Sequence, residues 1–404
     1  MLHNIIPVLK GQTDSVNAMV DSWSLIEMNT ITKLDPMSNK LSLECGKEFN
    51  YKALVIGTGF NHDMDLIPGL REFDEGPENN HTYVHQLLKK NINRNYYNGY
   101  HHRGGSHICY SPATPYKGEG NDFYPLYHES IHRQDKIFNV AARSSKIEYW
   151  TPNKEIFKFP YANEVVLDEC HKRGIEVNFG WEMTSVRDDA HSKVAVFKNV
   201  DSGEVMEQDF TCANINPPST QHQFLLDAGV CDKEGMVDVN RYTLQHNKYE
   251  NIFAIGDAIS GQTTRTYTGA VRQNPIVKHN VLSFLEGKDC NAIYDGYQYM
   301  HLYSGTIYSM GFSHLHDFEP APTNDSVPHY GVFGWLYGHY AVYDQSSLGA
   351  SYTSFNKNHG PPHWHYPARY DELEHNEYLQ NRQIDVTEVM HPDAVKRQAL
   401  LPAV

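Results

Sequence analysis

The segment that most constrains the fold is NIFAIGDA, at residues 251–258. Its apolar run ends in Gly256-Asp257, which is typical of a buried parallel strand that closes in a tight turn. A carboxylate at this edge of a sheet can accept hydrogen bonds from a ribityl or ribose hydroxyl. A helix that starts soon afterwards favours anionic or carbonyl oxygens at its amino end. The alternative is an ordinary buried strand with a turn aspartate.

Other apolar runs alternate with helical stretches, and this alternation predicts an α/β fold with parallel sheets. Residues 51–59 (YKALVIGTG) predict a strand that ends at Gly57-Thr58-Gly59. Asn163 is the predicted N-cap and Gly174 the predicted end of a helix. The other predicted elements are short strands within 30–50 with a turn at 35–38, strands at 107–111 and 175–179, a hairpin over 194–210 and a helix starting near Thr264.

Composition excludes several function classes. The chain has 34 Lys+Arg against 49 Asp+Glu, a net charge of -15, which opposes a generic nucleic-acid or anionic-membrane binder. No run of about 18 apolar residues predicts a membrane-spanning helix. The six cysteines are scattered without a CxxC pair, which predicts reduced thiols and no cysteine-based zinc site.

Residues 237–240 (VDVN) and 243–246 (TLQH) lead into NIFAIGDA. Together they resemble the second flavin-binding stretch of the two-dinucleotide-binding-domain flavoproteins, and most closely that of the mitochondrial-type sulfide:quinone oxidoreductases. The similarity covers roughly residues 40–345. Within it, TPYKGEG resembles the family's first catalytic segment, and YDGY, at 294–297, resembles the YDGY segment of the family. The resemblance implies FAD as the cofactor and a remnant flavin site at Gly57, Thr58, Gly59, Gly256, Asp257, Ala258 and Thr266.

The resemblance also implies two Rossmann-like domains of the glutathione-reductase type, the first of them incomplete. Residues 1–103 and 220–290 would form the partial FAD-binding-like domain, and residues 104–219 the second domain. Residues 291–343 would dock to a membrane or a partner, and residues 344–404 would form an extended polar tail.

Three departures from the family bear on activity. The chain has no strand-GxGxxG-helix unit, whose backbone and helix dipole hold the flavin pyrophosphate. The places of the two catalytic cysteines read as Gly118 and Met300. Cys109 and Cys290 are out of register, and a loop rearrangement that brings them into use is the alternative. Tyr267 would fill part of the space for the ring or quinone unless it points elsewhere.

Two further segments allow more than one interpretation. The aromatic residues 331–343 suit a lipid interface, but the lack of Lys and Arg favours burial against a partner or the core. Histidines 359, 363, 365 and 375 imitate a metal site, but neither a cysteine nor a fixed third ligand accompanies them, so we predict no metal site there.

These features predict a degenerate relative that acts as a structural or accessory subunit of a larger assembly. The resemblance implies mitochondrial inner-membrane association, with protein partners, no nucleic acid, and FAD absent or weakly bound. The alternative is an active FAD-dependent sulfide:quinone oxidoreductase whose first flavin-binding unit is missing from this sequence or supplied by another chain. The missing first strand also predicts a gap in the sheet that a changed strand order or another polypeptide fills.

Overall fold

The computed structural model describes residues 29–75, 81–82, 105–113, 115, 123, 125–130, 146–189, 192–261, 264–304, 308–320, 332–334 and 380–399. Strands and helices alternate along these residues, and the predicted α/β class is confirmed. The strands are β1 (Ile31–Asp35), β2 (Lys40–Leu43), β3 (Glu48–Asn50), β4 (Leu54–Ile56), β5 (Asn61–His62), β6 (His81–Thr82), β7 (Ser106–Tyr110), β8 (Lys146–Thr151), β9 (Glu176–Phe179), β10 (Trp181–Asp189), β11 (Ser192–Asn199), β12 (Val205–Phe210), β13 (Cys212–Ile215), β14 (Ser219–Thr220), β15 (Ile252–Ala254), β16 (Gln298–Tyr303), β17 (Tyr308–His314) and β18 (Val332–Gly334). The α-helices are α1 (Leu70–Glu75), α2 (Pro160–Arg173), α3 (Gln223–Asp227), α4 (Tyr267–Leu285), α5 (Val386–Val389) and α6 (Pro392–Ala399).

The largest sheet among the described residues is parallel and has the strand order β6-β13-β7-β8-β9. Every residue of β7 is buried, as expected for a strand covered on both faces. Ile108 and Tyr110 pack on one face with Phe197 of β11. Cys109 packs on the other face with Val166 of α2. The sheet also recruits β6 from the segment that the sequence assigns to the first domain, because β6 pairs with β13.

Helix α2 begins earlier than predicted. It starts at Pro160, whose fixed φ suits the first helical turn, so Asn163 lies inside the helix and is not its N-cap. The Asn163 Oδ1 instead accepts a hydrogen bond from the Ile156 N–H at 2.8 Å and so fixes the chain that enters the helix. The predicted end is confirmed, since Gly174 adopts φ 72° just after Arg173.

A second core surrounds the parallel pair β4 and β15, in which Ile56 lies opposite Ala254. All three β15 residues are buried, and Val277 of α4 packs on the same cluster. The described residues give this sheet two strands. The predicted gap at the missing first strand therefore stays a prediction.

Antiparallel units complete the described fold. Strands β1, β2 and β3 form one sheet, in which the Asp35 carboxylate accepts from the Ser38 N–H at 3.0 Å and closes the predicted turn. Strands β10, β11 and β12 form another, and Gly203 with φ 74° lies in the predicted hairpin turn. Strands β16, β17 and β18 form a third antiparallel sheet.

The C-terminal part of the chain is folded where the structure describes it. The sequence predicts an extended tail over residues 344–404, but residues 380–399 contain helices α5 and α6. Val389, Met390 and Ala394 are buried against Ile293, and this apolar contact is the reason that the stretch is not extended. Residues 344–379, which include the histidine-rich stretch, and most of the aromatic segment 331–343 lie outside the described residues.

Candidate functional site

The predicted glycine turns meet at one edge of the β4–β15 pair. Both strands run in the same direction, so the turns that follow them emerge side by side. Gly59 has φ 64° and Gly256 has φ 72°, backbone conformations that favour glycine. A Cβ placed on Gly59 would lie 3.8 Å from the Cβ of Asp257. The structure therefore brings together the two halves of the predicted remnant flavin site.

Gly256, Asp257 and Ala258 form a short 3₁₀ turn directly after β15. The Gly256 N–H donates to the Gln273 Oε1 of α4 at 2.7 Å. Ala258 is fully buried, and its carbonyl accepts from the Val237 N–H at 2.8 Å. These contacts fix the turn against α4 and leave Asp257 half-buried at the edge of the sheet.

Helix α4 presents its amino end beside this turn. Thr266 is the N-cap, and its hydroxyl accepts from the Gly269 N–H at 3.3 Å. The predicted helix therefore begins three residues after the predicted start near Thr264, with Tyr267 as its first residue. The structure describes the backbone of Tyr267, so the prediction that its side chain fills the ring site stays a prediction.

The amide of Gln298 occupies the amino end of α4. Its Oε1 accepts from the Thr266 hydroxyl at 2.7 Å and from the Thr266 N–H at 3.3 Å. Its Nε2 donates to the Tyr294 hydroxyl at 2.9 Å, and the side chain is 1% exposed. A Cβ on Gly269 would collide with this amide, so Gly269 makes the room that Gln298 uses. The helix end, which favours a carbonyl oxygen, thus receives one from the chain itself.

Polar groups extend from this point through the YDGY segment. Arg272 Nη2 lies 3.5 Å from Asp295 Oδ2, and both side chains are largely buried. His316 Nε2 lies 2.9 Å from the Tyr294 carbonyl, and His314 Nε2 lies 3.4 Å from the Thr264 hydroxyl. Burial lowers the pKa of His314 to about 4 and that of His316 to about 3. Both imidazoles are therefore neutral at neutral pH.

The second predicted cysteine place lies in a core. Met300 has 0% exposure and packs within the apolar cluster of β16, β17 and α2. Gly118, the first place, lies outside the described residues. Cys109 belongs to the same cluster as Met300, whereas Cys290 belongs to the β4–β15 cluster. Burial raises the pKa of the Cys109 thiol well above its usual range.

Several of these polar contacts have no signal in the sequence. Gln298 and Thr266 are far apart along the chain, and neither belongs to a motif that predicts their pairing. Gln273 is one of many polar residues in a helix. The sequence feature that draws attention to Gln298 is its position immediately after the YDGY segment. Within the part of the chain that the structure describes, no helix is long and apolar enough to cross a membrane.

Comparison with known proteins places these features in context. No protein-family model matches the chain. The chain is 29% identical over 279 residues to the mitochondrial sulfide:quinone oxidoreductase of Schizosaccharomyces pombe and 26% identical over 278 residues to that of Mus musculus. Each match covers 68% of this chain and 59% of the relative, so the chain spans less than two thirds of the length of these relatives.

Solved structures show the same fold. A chain in the cryo-EM structure of the Tetrahymena thermophila mitochondrial ATP synthase F1Fo tetramer superposes with a TM-score of 0.72 at 24% identity, covering 85% of this chain and 82% of that chain. The sulfide:quinone oxidoreductase of Aquifex aeolicus superposes with a TM-score of 0.60 at 17% identity, covering 81% and 74%. The chain therefore has the Rossmann-type α/β fold of the Aquifex aeolicus enzyme and is similar in sequence to the mitochondrial sulfide:quinone oxidoreductases.

Proposed function

We propose that this chain is a structural, non-catalytic subunit of a larger mitochondrial assembly, built on the scaffold of a sulfide:quinone oxidoreductase. The observation that carries the proposal is the buried Gln298 amide at the amino end of α4, hydrogen-bonded to Thr266 and Tyr294. The Gln298 side chain occupies the amino end of this helix, whereas a cofactor site needs that end accessible to the cofactor.

Flavin is, in this proposal, absent or weakly held. The first reason is that the residues of this sequence contain no GxGxxG turn to stabilise the pyrophosphate. The second is the amino end of α4, since a flavin carbonyl there would have to displace three hydrogen bonds of Gln298. The groups that remain to hold a flavin are Gly57, Thr58, Gly59, Gly256, Asp257, Ala258 and Thr266, and we interpret them as remnants of a binding site.

The sulfur chemistry of the relatives is also absent in this proposal. Met300 carries a thioether, which cannot be deprotonated to a nucleophile, and Gly118 has no side chain. Cys109 and Cys290 lie in separate apolar clusters, so they are poorly placed to pass sulfur from one to the other. A buried thiol of raised pKa, such as Cys109, is a poor nucleophile.

Membership of an assembly is supported by the neighbour in the Tetrahymena ATP synthase structure, where a chain of this fold accompanies the F1Fo complex. The mitochondrial relatives support the same organelle. We therefore propose that the assembly is associated with the mitochondrial inner membrane and that ATP synthase is the first complex to test. Its protein subunits would be the partners, reached through the aromatic residues 331–343 and the C-terminal residues 344–404.

Two measurements test the proposal. Purified full-length chain should show no stoichiometric flavin absorption near ~450 nm, a property of the cofactor itself. An epitope-tagged chain expressed in its own organism should comigrate with ATP synthase activity on native gels. A chain that runs as a free monomer in mild mitochondrial extracts would contradict the assembly.

The second candidate function is an active FAD-dependent sulfide:quinone oxidoreductase completed by a segment or chain outside this sequence. It is favoured by the close approach of Gly59 to Asp257 at the sheet edge, which keeps the residues of the predicted flavin site together. Yellow protein that reduces quinone on addition of sulfide would establish this alternative in place of the structural role.

A further inference from the structure

We propose that Glu250, His391 and Asp393 bind a divalent transition metal, best matched by zinc, which fastens the C-terminal helix α6 to the entry of β15. One ligand atom from each residue lies within 4.8 Å of the other two. Glu250 stands two positions before β15, His391 directly precedes α6, and Asp393 lies in its first turn. The site therefore joins two distant parts of the chain.

The spacing suits a metal ion. His391 Nδ1 lies 3.5 Å from Glu250 Oε1. Ligands bound to tetrahedral zinc at their usual bond lengths lie roughly 3.4 Å apart. The exposed Asp393 carboxylate lies within 4.8 Å of the other two ligand atoms, and a change of its rotamer would close the remaining distance. Two of the three ligands are therefore already at the separation that zinc requires.

Hydrogen bonding around His391 favours a cation between it and Glu250. The Asp393 N–H donates to His391 Nδ1 at 3.2 Å, so this nitrogen is an unprotonated acceptor, and a metal bound to it would replace that hydrogen bond. The same nitrogen faces the Glu250 carboxylate, which is also an acceptor. Two acceptors facing each other are stabilised by a positive charge between them, supplied by a metal ion or by a proton on the imidazole.

The buried position of His391 is a second, independent observation. Its side chain is 4% exposed and lines a small cavity of about 20 Å³ together with Glu250, Lys288, Asp289 and Cys290. The cavity has room for a water molecule as the fourth ligand, which completes a site with three protein ligands. An imidazole with two carboxylates favours zinc over magnesium or calcium, which prefer sites made of oxygen alone.

Metal titration of the untagged full-length chain, first stripped with a chelator, tests the proposal. Isothermal calorimetry with zinc sulfate should give a site of 1:1 stoichiometry, and saturation should raise the thermal midpoint by roughly 2–4 °C. Magnesium chloride should produce neither effect. The exposed Asp393→Asn variant should keep the fold and weaken zinc binding by at least about tenfold, and Glu250→Gln should do the same.

Asp289→Asn is the matched control, because Asp289 lines the same cavity and undergoes the same charge change without belonging to the ligand group. It should bind zinc as the unmodified chain does. Zinc binding that survives both Asp393→Asn and Glu250→Gln would come from other histidines and would overturn the proposal. A chain that binds no zinc would also overturn it and leave a His391–Glu250 ion pair.

Discussion

The substitution Gln298→Ala tests directly whether the amino end of α4 is closed by the chain itself. It removes three buried hydrogen bonds, two accepted from Thr266 and one donated to the Tyr294 hydroxyl. At about 1 kcal/mol net for each bond, we expect the free energy of unfolding to fall by about 3 kcal/mol. Gln298 is 1% exposed, so bulk water does not compete for these bonds in the unmodified chain.

Urea unfolding followed by tryptophan fluorescence measures this change. Gln223→Ala is the matched control, since that side chain donates to Asp227 in an exposed helical pair at 2.8 Å. Such pairs contribute about 0.2–0.5 kcal/mol, so the control should change stability little. Equal losses of unfolding free energy in the two variants would refute the conclusion that buried hydrogen bonds of Gln298 stabilise the fold.

The same variant should change the response to a flavin ring. Lumiflavin, which lacks the phosphate chain, must expel the Gln298 amide from the unmodified protein but meets no such obstacle in Gln298→Ala. A difference of about 3 kcal/mol corresponds to roughly 100-fold in the dissociation constant, measurable by quenching of flavin fluorescence. Equal affinity of the two proteins for lumiflavin would show that Gln298 does not close this site.

Three further predictions follow from the cores of the molecule. Sulfide should not reduce quinone when FAD and the full-length chain are supplied, and Met300→Cys alone should not restore the reaction; any sulfide-dependent quinone reduction followed by absorbance contradicts this. The pKa values of His314 and His316 are lowered by burial from 6.5 to about 4 and about 3, so the unfolded chain gains protons below pH 6.5 before the folded chain does. Stability should therefore be greatest above pH 6.5 and fall toward pH 4, by up to about 3 kcal/mol per pH unit for these two histidines together, and His316→Asn should make the fall shallower in a urea series. Removal of residues 380–404 exposes the partners of Val389 and Met390 and should cost about 3–6 kcal/mol of unfolding free energy, against no loss for an exposed polar tail.

Local signals in the sequence predict the elements whose ends are set locally. The glycine turns after β4 and β15 are examples, because a positive φ at Gly59 and Gly256 restricts the residue that can stand there. The end of α2 at Gly174 follows the same rule. The α/β class was predictable because apolar runs and helical stretches alternate through the whole chain.

Contacts between distant residues could not be predicted in this way. Asn163 is a residue type that favours the N-cap position, but its side chain accepts a hydrogen bond from the Ile156 backbone instead. The start of α2 therefore depends on packing. The pairing of Gln298 with Thr266 joins the start of β16 to the amino end of α4, and nothing in either local sequence specifies it. The same holds for Glu250 and His391, which meet because α5 and α6 pack against Ile293.

The pairing of β4 with β15 has a consequence for biosynthesis. Leu54 and Ile252 are register partners, yet about 200 residues separate them along the chain. At about 5–20 residues per second, β4 leaves the ribosome roughly 10–40 s before its partner has been made. During that interval its backbone donors and acceptors and the apolar side chains of Leu54 and Ile56 lack β15. A chaperone that holds the nascent chain until β15 emerges would protect β4 during this interval. The second core can assemble only at a late stage of translation.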